Sequence, residues 1–345
     1  MIELRTGNLF DAKADAFVNT VNTGGVMGKG LALQFKRAFP ENTRRYTAAA
    51  RRGEIAIGRM FVVEEETIDG PILVINFPTK TDWRKPSRLE YVEQGLVDLR
   101  RVLFERRVDV VAVPPLGCGL GGLDWEQVRP MIVEALEGLP TTVLLYAPAG
   151  APEAAAMPIR TRPPRMSPSR AALVGILGRY LGMGDDASPL VVQKLVYFLQ
   201  EAGEPLDLHF AARQYGPYDD AVRHILTDLE GHYVTGVGDG TGREPIHLLA
   251  GAEEAAQAEL DEHPETEERF DRVVGLIEGF ESPYSLELLA TTHWVVKKEG
   301  ARNPEEAVGK VEDWNERKRR IFRPEDVNVA WDRLADRGWL SASAV

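Results

Sequence analysis

Cysteine is nearly absent from this sequence: one residue, Cys118, in 345. A single thiol forms no disulfide within the chain, and such usage fits a reducing compartment, so a cytoplasmic location is expected. No run of 18 or more apolar residues occurs, which leaves no candidate membrane helix. The opening MIELRTGNLF lacks a basic segment followed by an apolar one, so no secretory signal is expected. Histidine is missing from residues 1–150, and all six lie beyond. The first half therefore has no imidazole for acid–base or nucleophilic work. No His/Cys/Asp spacing reads as a zinc site, and no metal or redox cofactor is expected.

What is present divides in two. Residues 1–150 carry 19 basic and 19 acidic side chains; the rest carry 41 − 19 = 22 and 53 − 19 = 34, so the whole net charge of −12 belongs to the second part. An acidic surface disfavours direct contact with nucleic acid and suits a basic protein partner, or simply solubility. Between the halves, residues 147–170 are rich in Pro, Ala and Arg without periodicity and read as a linker. The expected organisation is a domain over 1–150, a linker over 151–170 and a second domain over 171–345.

In the first domain apolar runs alternate with helical patterns. Strands are expected at 15–21, 59–65, 72–77, 108–114 and 141–147, and helices at 28–39, 88–105 and 124–138. Several strands are apolar on both faces, as strands covered by helices should be. The fold class is therefore α/β, a mostly parallel sheet between helices, with ligands at the carboxyl ends of its strands. The second domain reads as mainly helical. Ser188-Pro189 and Ser282-Pro283 open helices with serine as cap and proline in the first turn, and a last helix stops at Gly338.

Two glycine-rich loops follow strands: Asn22-Thr23-Gly24-Gly25-Val26-Met27-Gly28-Lys29-Gly30, entering a helix at Leu31, and Gly117-Cys118-Gly119-Leu120-Gly121-Gly122, entering one near Asp124. Glycines admit an anion close to backbone N–H groups, and a helix N-terminus favours negative charge. Two such loops on one sheet edge point to a diphosphate held from both sides. The first fails the Walker A pattern at Thr23 and Gly30. The second matches G-x-G-x-x-G, but no acidic residue ends the following strand to hold a nicotinamide dinucleotide's ribose. Lys80 ends the apolar run VINFPTK, at such a strand end. Cys118 has no histidine in its own domain to act as base and reads as a small residue that fits.

Together, Gly7-Asn8-Leu9-Phe10, Ala16–Asn22, the Gly24–Gly30 loop and the Gly117–Gly122 loop resemble a macrodomain, a module that binds ADP-ribose. Phe77-Pro78-Thr79-Lys80 and Trp125 narrow the resemblance to the DarG-type antitoxins of DarT–DarG systems. The resemblance implies a macrodomain that removes ADP-ribose from thymine in single-stranded DNA. It further implies a C-terminal domain, residues 171–345, that binds a cognate DarT-like ADP-ribosyltransferase toxin; no membrane is implied. Carried over by position, Asn8 and Leu9 meet the adenine end, although many macrodomains have Asp where Asn8 stands. Thr20, Val21 and Asn22 lie near the distal ribose. Gly28, Lys29, Gly30 and Leu31 form one phosphate loop, and Gly117, Cys118, Gly119, Leu120, Gly121 and Gly122 the other. Thr79 adjoins Lys80, which matches the family's catalytic lysine.

Related hydrolases of the terminal ADP-ribose type carry an acidic residue where this chain has Gly121, so a lysine–carboxylate pair is not carried over. Lys194-Leu195-Val196-Tyr197-Phe198 with Gln214-Tyr215-Gly216-Pro217 is similar to a helical domain shared by several antitoxins. Two other readings stay open: an ADP-ribose reader without hydrolysis, and an esterase on ADP-ribose 1″-phosphate in which Lys80 has no chemical role.

Overall fold

The computed structural model describes residues 1–67, 70–240 and 244–340. Two compact units emerge, one of residues 1–162 with 238–242 and one of 163–237 with 243–345.

The first unit holds a six-stranded sheet in the order β1-β6-β5-β2-β4-β3. Its strands are β1 Ile2–Arg5, β2 Ala16–Asn22, β3 Phe61–Thr67, β4 Gly70–Lys80, β5 Val110–Val113 and β6 Thr142–Tyr146. All neighbours pair in parallel except β3 with β4, so the sheet is mixed and mostly parallel, as expected. The helices are α1 Gly30–Ala38, α2 Pro40–Arg51, α3 Leu89–Glu105 and α4 Trp125–Leu136.

The period-2 rule of strands sorts the core into two layers. Ala16, Val18, Ile75, Phe77, Val111, Val113, Val143 and Leu145 share one buried cluster with α3 and α4. The intervening Phe17, Val74, Ala112 and Leu144 face α1, with Phe35 and Phe39. The inner strands β2, β4, β5 and β6 are thus covered on both sides, which is why their sequences show continuous apolar runs rather than alternation. β1 and α2 were not visible in the pattern: β1 is short, and α2 is PENTRRYTAAAR, largely polar with only Asn42, Tyr46 and Ala49 buried.

The second unit is mainly helical: α5 Pro168–Gly182, α6 Pro189–Glu201, α7 Asp220–Leu229, α8 Ala252–Leu260, α9 Pro264–Ile277, α10 Pro283–Lys297, α11 Pro304–Trp314, α12 Glu316–Ile321 and α13 Pro324–Asp336. The expected caps form. Ser188 Oγ accepts from the Val191 amide at 3.3 Å and Ser282 Oγ from the Ser285 amide at 3.1 Å. Helices α6 and α10 are buried on almost every side. A short hairpin, β7 Ala211–Arg213 with β8 Gly216–Tyr218, carries the Gln214-Tyr215-Gly216-Pro217 motif. The Lys194 ammonium on α6 donates to the Pro217 carbonyl at 2.7 Å, so the two motifs singled out in the sequence meet. Among the described residues no helix is long and apolar enough to cross a membrane.

Candidate functional site

The parallel strands end at one edge of the sheet, and β2 and β4 are neighbours there. Their register runs Ala16↔Leu73 to Val21↔Pro78, then slips one residue so that Asn22 faces Lys80. A bulge of this kind redirects side chains at a strand end. It brings Asn22, the start of the first glycine loop, opposite the lysine. Thr23 locks the junction: its amide donates to the Lys80 carbonyl at 3.0 Å and its hydroxyl to the Thr81 carbonyl at 2.9 Å.

The first loop is shaped by Asn22. Its Oδ1 accepts from the Gly24 amide at 3.0 Å and the Val26 amide at 3.3 Å, and its Nδ2 donates to the Val26 carbonyl at 2.6 Å. The carboxamide is therefore largely engaged inside its own loop. Below it the buried Tyr46 hydroxyl of α2 donates to the Asn22 carbonyl, and burial pushes that phenol up. Gly25, at φ +81°, lies so close to α2 that a Cβ would sit 2.8 Å from that of Ala50. Within this unit the Gly30 amide donates to the Asp239 carbonyl at 2.9 Å, so that donor is already satisfied. Val21 is buried beneath the loop with Met27, Tyr46, Ala49 and Ile55, while Thr20 is half-buried.

The second loop follows β5. Leu116 is buried, and the turns close through Cys118 N–H to Pro115 O at 3.1 Å, Gly122 N–H to Gly119 O at 3.0 Å and Leu123 N–H to Gly117 O at 3.0 Å. Two successive carbonyls of this loop face the last residue of β4 and the segment that follows it. The Lys80 ammonium donates to the Leu120 carbonyl at 2.6 Å, and the Ser87 amide donates to the Gly121 carbonyl at 2.9 Å. Gly121 is wedged there: a Cβ would lie 2.2 Å from the Gly117 oxygen and 2.4 Å from Ser87 Oγ. No side chain of any kind fits at 121 with the loop so held, which accounts physically for the missing acidic residue.

Lys80 is half-buried, and burial lowers its pKa. Neither nearby carboxylate stands in as its partner. Asp82 accepts from the Arg84 amide at 2.8 Å, and Asp124 caps α4 by accepting from the Glu126 amide at 3.0 Å. Burial, then the Asp124 charge, pushes the Cys118 thiol up to about 11, which keeps it protonated and unsuited to attack. Thr79 is buried at the end of β4. Leu120 is 61 % exposed on the loop crest, where its Cδ1 lies 3.0 Å from the position a Cβ of Gly30 would take, so the two glycine loops approach each other at this point.

Asn8 and Leu9 lie beyond the end of β1, four strands away from β4. Asn8 caps the turn Leu9–Asp11 by accepting from the Phe10 amide at 3.1 Å, and Leu9 is buried in the same cluster as Phe17, Phe35 and Tyr146. The structure thus gathers Asn22, Thr79, Lys80 and the second loop at one end, with Asn8 and Leu9 at the other end of the same edge. Unforeseen from the sequence was a buried amide network under the site. Asn19, paired in register with Asn76, donates to Asn76 Oδ1 at 3.0 Å, and Asn76 donates to Asn42 Oδ1 at 2.6 Å and to the Phe61 carbonyl at 3.0 Å. Polar residues inside the strands AFVNTVN and ILVINF were its only sequence signal.

A family model described as "Macro domain" matches residues 18–132. A Thermus aquaticus relative named DNA ADP-ribosyl glycohydrolase is 47% identical over 342 residues, covering 99% of this chain and 94% of its own. The chain belongs to the DNA ADP-ribosyl glycohydrolase family. That is a family of hydrolases, as the residue-level resemblance implied. The solved macrodomain of Mycobacterium tuberculosis DarG is 53% identical, covering 43% of this chain and 99% of that one, with a TM-score of 0.42. A Thermosipho africanus relative named as a fusion of DNA ADP-ribosyl transferase and DNA ADP-ribosyl glycohydrolase is 32% identical over 162 residues, covering 43% of this chain and 42% of its own.

Proposed function

We propose that this glycohydrolase-family chain removes ADP-ribose from thymine bases of single-stranded DNA, with Lys80 as the reacting group. It also neutralises a DarT-like ADP-ribosyltransferase by direct binding through residues 171–345. The observation that carries the first part is the meeting of Lys80 with the Leu120 carbonyl of the second glycine loop, at the strand edge where β2 and β4 end. ADP-ribose would lie along that edge. Its adenine end is near Asn8 and Leu9, its diphosphate between Gly28–Leu31 and Gly117–Gly122, and its distal ribose by Thr20, Val21 and Asn22. From β1 to β4 is four inter-strand steps, about 19 Å.

To attack the anomeric carbon, Lys80 must be neutral, and burial at the strand end favours that form. The Nζ lone pair forms the bond to C1″ as the C1″–base bond breaks. The electron pair leaves with the thymine ring, which takes the proton released from Nζ. The ribose ring then opens to a lysine imine with its O4″ as hydroxyl, and water adds to that imine, returning the free amine and ADP-ribose. The Leu120 carbonyl, by accepting one N–H, fixes the side chain and turns the lone pair away from the loop.

The acidic excess of the second part supports a basic protein partner. The natural joining of transferase and glycohydrolase in the Thermosipho relative supports a transferase as that partner. The test is release of free ADP-ribose from single-stranded DNA carrying ADP-ribosyl-thymine, by the native chain and by Lys80→Ala. Release by the native chain alone is expected. Tight ADP-ribose binding without release by either would leave a reader module instead.

A further inference from the structure

Lys80 begins, and Ser87 ends, a connection whose two ends are both fastened to the second glycine loop, through the Leu120 and Gly121 carbonyls. The middle of that connection, Thr81-Asp82-Trp83-Arg84-Lys85-Pro86, turns outward. It is held in shape by Lys85 N–H to Asp82 O at 3.1 Å and by Asp82 Oδ1 accepting from the Arg84 amide. At its crest Trp83 is 54 % exposed, a large aromatic ring presented to solvent within three residues of Lys80. The Arg84 guanidinium lies 4.7 Å from its centroid, and Arg88, also exposed, lies 5.6 Å from the ring of Tyr91.

Many arginines of this unit pair with carboxylates, such as Arg44 with Glu41, Arg52 with Glu54 and Arg101 with Asp98 and Glu105. Among the described residues Arg84, Lys85 and Arg88 have no carboxylate within 4.0 Å. The carboxylate nearest in sequence, Asp82, is turned onto the loop's own backbone. Exposed aromatic rings interleaved with unpaired cations are the elements that hold single-stranded nucleic acid: rings stack bases irrespective of sequence, and cations follow the phosphates.

We propose that residues 83–88 are the track for the DNA strand that flanks the modified base, with Trp83 stacking a neighbouring base and Arg84, Lys85 and Arg88 contacting its phosphates. The proposal rests on the reading of Lys80 as the reacting group on ADP-ribosylated DNA. Trp83 is three residues from Lys80, at most about 11 Å of extended chain, so the stacked base is within one or two nucleotides of the reacting sugar. The track gives the enzyme a hold on the strand that free ADP-ribose does not use. It would thus favour modified DNA over the small products of the same chemistry.

The test compares two substrates, an ADP-ribosylated single-stranded oligonucleotide and ADP-ribosyl-thymidine, with the full-length native chain, Trp83→Ala, Trp83→Phe and the triple variant Arg84→Ala/Lys85→Ala/Arg88→Ala. Trp83→Ala should raise KM for the oligonucleotide about tenfold, the equivalent of one lost stacking contact, and leave the nucleoside unchanged. Trp83→Phe should recover most of that loss. The triple variant should flatten the slope of log KM for the oligonucleotide against log salt by about two, three contacts at roughly 0.7 each.

Unchanged oligonucleotide KM in both Ala variants, or an equal rise on oligonucleotide and nucleoside, would overturn the proposal. Cleavage by Lys80→Ala at the native rate would instead sink the reading of Lys80. Anisotropy of a fluorescent unmodified oligonucleotide at low salt reads the track without any turnover: tighter binding by the native chain than by either Ala variant supports it, and equal binding overturns it.

Discussion

A lysine at the end of a strand is ordinarily a solvated cation, and two features of its surroundings change that for Lys80. Burial favours the neutral amine. The partner that fixes the side chain is a carbonyl, the Leu120 oxygen at 2.6 Å, rather than a carboxylate. A carboxylate in that seat would stabilise the ammonium strongly; a neutral acceptor orients the nitrogen with a smaller penalty on deprotonation. With Lys80 as the proposed nucleophile, the rate of ADP-ribose release should rise with pH through a pKa below that of a free lysine and then level off, because its neutral fraction grows as pH passes the lowered value. A pH–rate profile under single-turnover conditions checks this; a flat profile across the same range would count against a lysine nucleophile. Gly121→Asp supplies the acid of related hydrolases, but its Cβ would meet the Gly117 oxygen at 2.2 Å, a backbone atom that cannot step aside cheaply. The expected result is a loss of about tenfold or more in release rate, from roughly 1–3 kcal/mol of displaced backbone, rather than a gain. Faster release by Gly121→Asp would refute this steric account.

Elements place these residues. The bulge in β2 sets Asn22 against Lys80, and the Asn19–Asn76–Asn42 amides tie β2, β4 and α2 beneath them. Asn76→Ala strands the buried amides of Asn19 and Asn42, each 0 % exposed. It should destabilise the chain by about 2–4 kcal/mol, read as a drop in the denaturant midpoint. A comparable arrangement organises the second unit. Lys318, with no exposed side-chain surface, donates to Glu287 at 2.8 Å and Thr291 at 2.9 Å, and Lys194 holds the hairpin of β7 and β8 at Pro217. Burial, then the neighbouring Lys318 charge, lowers Lys194 to about 7, with Glu287 opposing; burial also lowers Lys318. In the unfolded chain both lysines keep protons up to ordinary lysine values, so between about pH 7 and 10 the unfolded state binds more protons and stability rises with pH. Lys194→Met should flatten that rise in thermal melts of the full chain; an identical slope in the variant would remove Lys194 as its source.

At the scale of the whole molecule, charge is partitioned. Residues 1–150 are balanced and the remainder carries all of the −12. If the acidic part binds a basic groove on the transferase, association should be steered by charge. Raising salt from about 0.1 to 1 M shortens the screening length from roughly 10 to 3 Å, and the on-rate should fall by about tenfold or more. Stopped-flow or surface-plasmon kinetics with the purified toxin read this directly, and a salt-independent on-rate and affinity would exclude charge as the basis of recognition.

Local pattern in the sequence was enough for the strands expected at 15–21, 72–77 and 141–147, which form as β2, β4 and β6 within a few residues of those bounds, and for the helices opened by Ser188-Pro189 and Ser282-Pro283, the two glycine loops and the strand-end position of Lys80. These are written in neighbouring residues: apolar runs, caps, glycines at turns. It did not contain what depends on residues distant in the chain. Which oxygen meets Lys80, why position 121 excludes a side chain, and how Asn76 links Asn19 to Asn42 are set by the crossing of segments tens of residues apart. Periodicity reports only whether a residue is buried. The tertiary structure decides against what it is buried, and at this site that partner is a backbone carbonyl, which no side-chain pattern can spell.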